Sequence, residues 1–203
     1  QYLEYNDNKD FNLLLNKLSE SNLRNSISQC NILLLIEKNT NIFLKSISDC
    51  ILQHNVSQKR LYVKFLHSIE KENIISLLID YLNEYLHSIE LSDINTVEDY
   101  DLMCDINKKK THINTLYSFY GELYLSGALP LDNINSYIDD LFKKIQLNNL
   151  YVEILCNFIK VFEQGIKKEL KKNLKDRIID EINNNKYKPI DRFMFQDIIE
   201  LLC

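Results

Sequence analysis

The stretch "IISLLIDYLNEYLHSIE", residues 74–90, decides the fold. Its apolar side chains at Ile75, Leu78, Ile79, Leu82, Leu86 and Ile89 recur every three or four residues, which puts them on one side of a helix. A half-buried strand would need strict alternation, and there is none. The same period returns on both sides of this segment. Phe43, Ile47, Cys50, Ile51 and His54 share one face; Ile134, Tyr137, Ile138, Leu141 and Ile145 share another; Tyr151, Ile154, Leu155, Phe158 and Phe162 make a further stripe. With three glycines and two prolines in 203 residues, little turn chemistry is left for a strand-rich fold. The chain is predicted to be all-α.

Boundaries fall where those stripes need them. Ser19 precedes a helix carrying Leu23, Ile27 and Cys30, and Thr96 with Asp99 forms a capping-box pattern. Pro130 suits a first helical position, while Gly127 and Gly165 can end helices in the left-handed region. Asn148 and Asn149 mark a turn. The expected result is about ten helices in antiparallel pairs, at 7–34, 38–70, 72–127, 130–164 and 166–203. A pair period near 40 residues is that of a HEAT-type repeat, so one alpha-alpha superhelix over residues 1–203 is expected.

Composition narrows the functional classes. The net charge of -5 argues against a dedicated nucleic-acid binder. Five cysteines, an odd number without short paired spacing, point to a reducing compartment, the cytoplasm. The longest aliphatic run, Ile32 to Ile36, is far short of a membrane span of about 18 residues. Asn, Ile, Lys and Tyr are heavily used and Arg occurs only at 24, 60, 177 and 192, the bias of an AT-rich coding genome such as a protist's or a giant virus's. Gln1 is not a start methionine and no helix stop follows the last stripe, so the segment reads as excised from a larger scaffold protein.

Three glycines at 121, 127 and 165 cannot build a phosphate-binding loop, a dinucleotide fingerprint or a nucleophile elbow. No enzyme, catalytic residue or cofactor is expected. "FLHSIE" at 65–70 and "YLHSIE" at 85–90 each place His and Glu three apart. If both close consecutive antiparallel helices they lie about 25 Å apart, too far to share a metal, and each is a surface pair. Lysines cluster at Lys108, Lys109 and Lys110, and again at Lys167, Lys168, Lys171, Lys172 and Lys175. Either run offers point charges for weak, salt-sensitive phosphate contact.

Three stretches, in order along the chain, resemble one family. "DRFMFQDIIELL", residues 191–202, resembles the last helix of the middle domain of eukaryotic translation initiation factor 4 gamma. "LLLNKLSESNL", residues 13–23, resembles its first helical hairpin, and "FYGELYLSGALP", residues 119–130, its aromatic-x-Gly-Glu-Leu helix. The resemblance implies a monomeric, non-enzymatic scaffold that binds and stimulates a DEAD-box RNA helicase, contacts RNA weakly, and meets a cap-binding protein through regions outside this segment. It implies helicase contact at Leu15, Leu18, Leu23, Arg192 and Asp197, and RNA contact at Lys108 to Lys110. Phe193 and Met194 are expected to seal the last repeat's core. The same fold serves cap-binding, nonsense-decay, splicing and deadenylation scaffolds.

Overall fold

The computed structural model describes residues 2–53, 56–89, 91 and 100–203, and the described residues form ten α-helices with no strand. The helices are α1 (Tyr2–Asn16), α2 (Leu23–Leu34), α3 (Asn39–Gln53), α4 (Val56–His67), α5 (Ile74–Ser88), α6 (Tyr100–Leu125), α7 (Leu131–Leu147), α8 (Leu150–Phe162), α9 (Lys168–Asn184) and α10 (Pro189–Leu201). Each expected pair contains two of them. His54, Glu90 and the Thr96–Asp99 pattern lie outside the described residues. Where the sequence reading expects one domain, the helices gather into two compact units, Gln1–Ser88 and Ile89–Cys203.

In the first unit α1 and α5 both pack on α3, with α2 against α1 and α3. Phe11 of α1 meets Phe43 of α3 edge-on at 5.4 Å, and Phe43 lies 6.4 Å from Phe65 of α4. The opening stripe is centred on Ile74, Leu78, Leu82 and Leu86, all buried, with Ile75 and Ile79 half-buried beside them.

In the second unit α8 is the hub, packed by α6, α7 and α10, and its buried face includes Tyr151, Ile154, Leu155, Phe158 and Phe162. Gly121 of α6 sets that packing distance, because a Cβ there would stand 2.7 Å from Val161 Cγ1 of α8. Gly165 serves the same end and not the one expected of it. It lacks a left-handed backbone, and a Cβ would stand 2.7 Å from Leu125 Cδ2. Gly127 does end α6 in the left-handed region, at φ 79°.

Asparagine supplies the turns. Asn22 Nδ2 donates to the Lys17 carbonyl at 2.7 Å while its Oδ1 accepts from the Ser19 N–H at 2.8 Å, closing the α1–α2 turn. Buried Asn39 donates to the Leu33 carbonyl at 2.9 Å. Asn148 accepts from the Leu150 N–H at 3.0 Å, so the 148–149 turn falls where expected. The bonds at Lys17, Leu33 and Leu150 satisfy backbone groups left over at helix ends.

The Gly121 contact yields a double-mutant test. A helical Gly→Ala change alone gains about 1 kcal/mol of propensity, whereas forcing a methyl into a packed site costs about 1–3 kcal/mol. Gly121→Ala is expected to lower the urea midpoint, and the same change in a Val161→Ala background to leave it unchanged or raise it.

Candidate functional site

The first hairpin of unit 1 turns on consecutive leucines. Phe11, Leu14, Leu15 and Leu18 are buried, and three successive leucines cannot all face one side, so Leu13 is left 53 % exposed. Leu15, at 1 %, and Leu18 offer no contact surface, a correction to the role assigned to them, and Leu23 is half-buried. Leu13 and Ile32 instead line an open groove of about 500 Å³ between α1 and α2, with Lys17 and Gln29 in its walls. Leu35 and Ile36 beyond it are exposed too.

In unit 2 the "RFMFQD" segment lies in α10, which starts with Pro189 at a first-turn position. The buried positions are Asp191, Phe195, Ile198 and Leu202. Phe193 stands two residues from Phe195, about 200° round the helix, and is 64 % exposed, which overturns its expected place in the core. Met194 is half-buried, and Arg192 and Asp197 are exposed. The signal for this phase was present in the Asp191, Phe195, Ile198 spacing, masked by the adjacent Phe and Met.

"FYGEL" is core. Phe119, Tyr120, Gly121, Glu122 and Leu123 are all buried. Close by, Tyr117 donates its hydroxyl to Asp140 at 3.3 Å, and burial raises its pKa above the ordinary value.

The lysines differ in their freedom. Lys109 is paired with Asp105 at 2.8 Å, one turn away, and Lys110 with Glu153 of α8, while Lys108 is exposed. On α9, Lys171 bonds Glu163 at 2.7 Å and Lys175 bonds Cys203 Sγ at 2.9 Å; Lys167, Lys168 and Lys172 are exposed. His67 closes α4 and His87 lies in the last turn of α5. Among the described residues no group of three or more His, Cys, Asp or Glu side chains could hold a metal, and no helix is long and apolar enough to cross a membrane.

No protein-family model matches the chain, and no solved structure matches it. Over 92 residues it is 29% identical to Uncharacterized protein L180 of Acanthamoeba polyphaga mimivirus, a stretch that is 45% of this chain and 24% of that protein.

Two predictions follow from burial. Leu15→Ala and Leu18→Ala are each expected to cost about 2–5 kcal/mol of stability, whereas Leu13→Ala should stay within about 0.5 kcal/mol, as chemical denaturation will measure. For the thiols, burial pushes Cys30 and Cys156 up to about 12 and also raises Cys50, while Cys104 and Cys203 are exposed. Ellman's reagent at mildly alkaline pH should therefore titrate two thiols rapidly and the other three only on unfolding.

Proposed function

We propose that this chain is a non-catalytic scaffold, built as a HEAT-type superhelix, that binds and stimulates a DEAD-box RNA helicase of the translation-initiation type in the cytoplasm. The packing of α1, α3 and α5 in one unit and of α6, α8 and α10 in the other supports the superhelical reading, since alternate helices of stacked pairs meet in this way. The observation that carries the partner reading is the exposed apolar surface on the two hairpins that the resemblance marks. Leu13 and Ile32 stand on the first, and Phe193, beside Arg192 and Asp197, on the last. Solvated large apolar groups beside charged ones are the usual make-up of a contact surface. Such a scaffold acts by differential affinity for two helicase states, and a coupling of about 1–3 kcal/mol suffices. RNA contact at Lys108 to Lys110 is weak in this reading, because two of the three lysines already hold carboxylates.

A broader second reading is an interaction module of another RNA-processing scaffold, of the cap-binding, nonsense-decay, splicing or deadenylation kind. The burial of Leu15, Leu18 and the whole of "FYGEL" favours it, because those residues then mark the fold and not the partner.

The test uses the whole chain with a recombinant initiation-type helicase. The RNA-stimulated ATPase rate should rise at saturating scaffold, and the Leu13→Ala/Ile32→Ala and Arg192→Glu/Phe193→Ala double variants should lower that rise with helicity and melting temperature unchanged. An unaltered rate with the parent chain would remove the helicase reading and leave the broader one.

A further inference from the structure

Charge is sorted along α9. Lys167, Lys168, Lys171, Lys172 and Lys175 crowd its N-terminal half against Glu169, and the other acids, Asp176, Asp180 and Glu181, come after them. At about 100° per residue, Lys168, Lys171, Lys172 and Lys175 share a wedge of similar width beside the buried stripe of Leu174 and Ile178. Glu169 and Asp176 fall on the next face round.

The contacts that fix this helix leave most of the lysines free. Glu163, buried just past α8, bonds Lys171 at 2.7 Å. Arg177 pairs with Asp139 of α7 at 2.8 Å and lies over the Phe142 ring at 4.4 Å. Lys175 meets a thiol, Cys203 Sγ at 2.9 Å, and not a carboxylate. Lys167, Lys168 and Lys172 are exposed and have no carboxylate partner among the described residues. On α6 the balance is the opposite, since Lys109 and Lys110 each hold a carboxylate and leave Lys108.

A partner finds nothing but polar groups on this flank. Every exposed residue of α9 is polar, so there is no apolar anchor for a protein interface and no apolar wedge for a membrane surface. No arginine stands among the four lysines to grip a carboxylate bidentately, whereas lysine serves phosphate as a point charge. Lys168 and Lys172, like Lys171 and Lys175, are one turn apart, about 6 Å along the axis, close to the spacing of successive phosphates on an extended strand.

We propose that this flank of α9 docks the sugar-phosphate backbone of a single-stranded nucleic acid. With no exposed aromatic residue on α9 to stack on a base, binding is tolerant of sequence and of the sugar. The inference goes beyond the scaffold reading and does not rest on it, because the helicase contacts proposed there run through Leu13, Ile32 and Phe193.

The test titrates the whole chain into fluorescein-labelled oligo-uridine and oligo-thymidine of about 12 nucleotides, read by fluorescence anisotropy. At about 50 mM salt both should bind with similar affinity, and the log-log salt slope should be about -3, as four lysine contacts give on a single strand. Lys167→Gln/Lys168→Gln/Lys172→Gln should weaken binding at least about tenfold and cut the slope to about -1 with helicity unchanged. A polyglutamate of matched charge should displace neither strand at equal concentration. Undiminished binding by the triple variant, a greater loss from Lys108→Gln/Lys109→Gln, displacement by polyglutamate, or no binding by the parent chain at about 50 mM salt would overturn the proposal. The salt slope and the polyglutamate arm need no variant, so a misfolded one leaves the answer intact.

Discussion

The close approach of α6 and α8 is the constraint on which the second unit depends. Gly121 brings the two helices near enough for Val161 to occupy the space of a missing methyl, and Gly165 lets the chain leaving α8 pass against Leu125 at the other end of α6. With that spacing held, Tyr117 reaches Phe158 at 5.2 Å, Tyr124 reaches Phe162 at 6.1 Å, and Tyr120 stacks on Tyr137 of α7 at 4.7 Å. α10 then closes on the remaining side of α8 with Phe195 and Ile198 inward. Interiors are packed as tightly as organic crystals, so a methyl at position 121 would move these rings as a group.

Helix number and type could be read from the sequence because apolar period reports burial directly, and the stripes quoted fall on helices of the structure apart from His54, outside the described residues, and Ile89, just past α5; the pair expected at 72–127 instead divides between the two units. The stripes of α7 and α8 needed no correction at their cores. What the period did not resolve was phase where apolar residues crowd together. In "LLL" and "FMF" several rotations of the helix bury a similar amount of apolar surface, and neighbouring helices choose among them. Hence Leu15 went inside and Leu13 out, Phe195 inside and Phe193 out. Gly165 was misread for a different reason. A glycine before a polar stretch looks the same whether it is needed for a left-handed angle or for a close approach, and only the partner helix distinguishes the two.

Asparagine carries much of the turn chemistry, at the expected 148–149 turn and at positions the sequence reading did not mark. In a chain with so little glycine and proline, Asn22, Asn39 and Asn148 act as side-chain substitutes for backbone turns, and Asn73 adopts the left-handed angle, φ 58°, just ahead of α5. The abundance of asparagine reads as coding bias in the sequence, yet these four residues hold specific positions between helices. The same ambiguity surrounds the candidate contact residues. A resemblance marks letters, and burial separates them into core ones such as "FYGEL" and exposed ones such as Arg192, Phe193 and Asp197.

The glycines have a mutational meaning. A coding bias toward AT-rich codons steadily erodes glycine, whose codons begin with two guanines, and replaces it wherever the protein tolerates another residue. Three remain in this chain, and each sits where replacement meets an obstacle: a methyl against Val161, a positive φ at residue 127, a methyl against Leu125. The three glycines thus mark two close approaches, at Gly121 and Gly165, and one left-handed angle in open space, at Gly127.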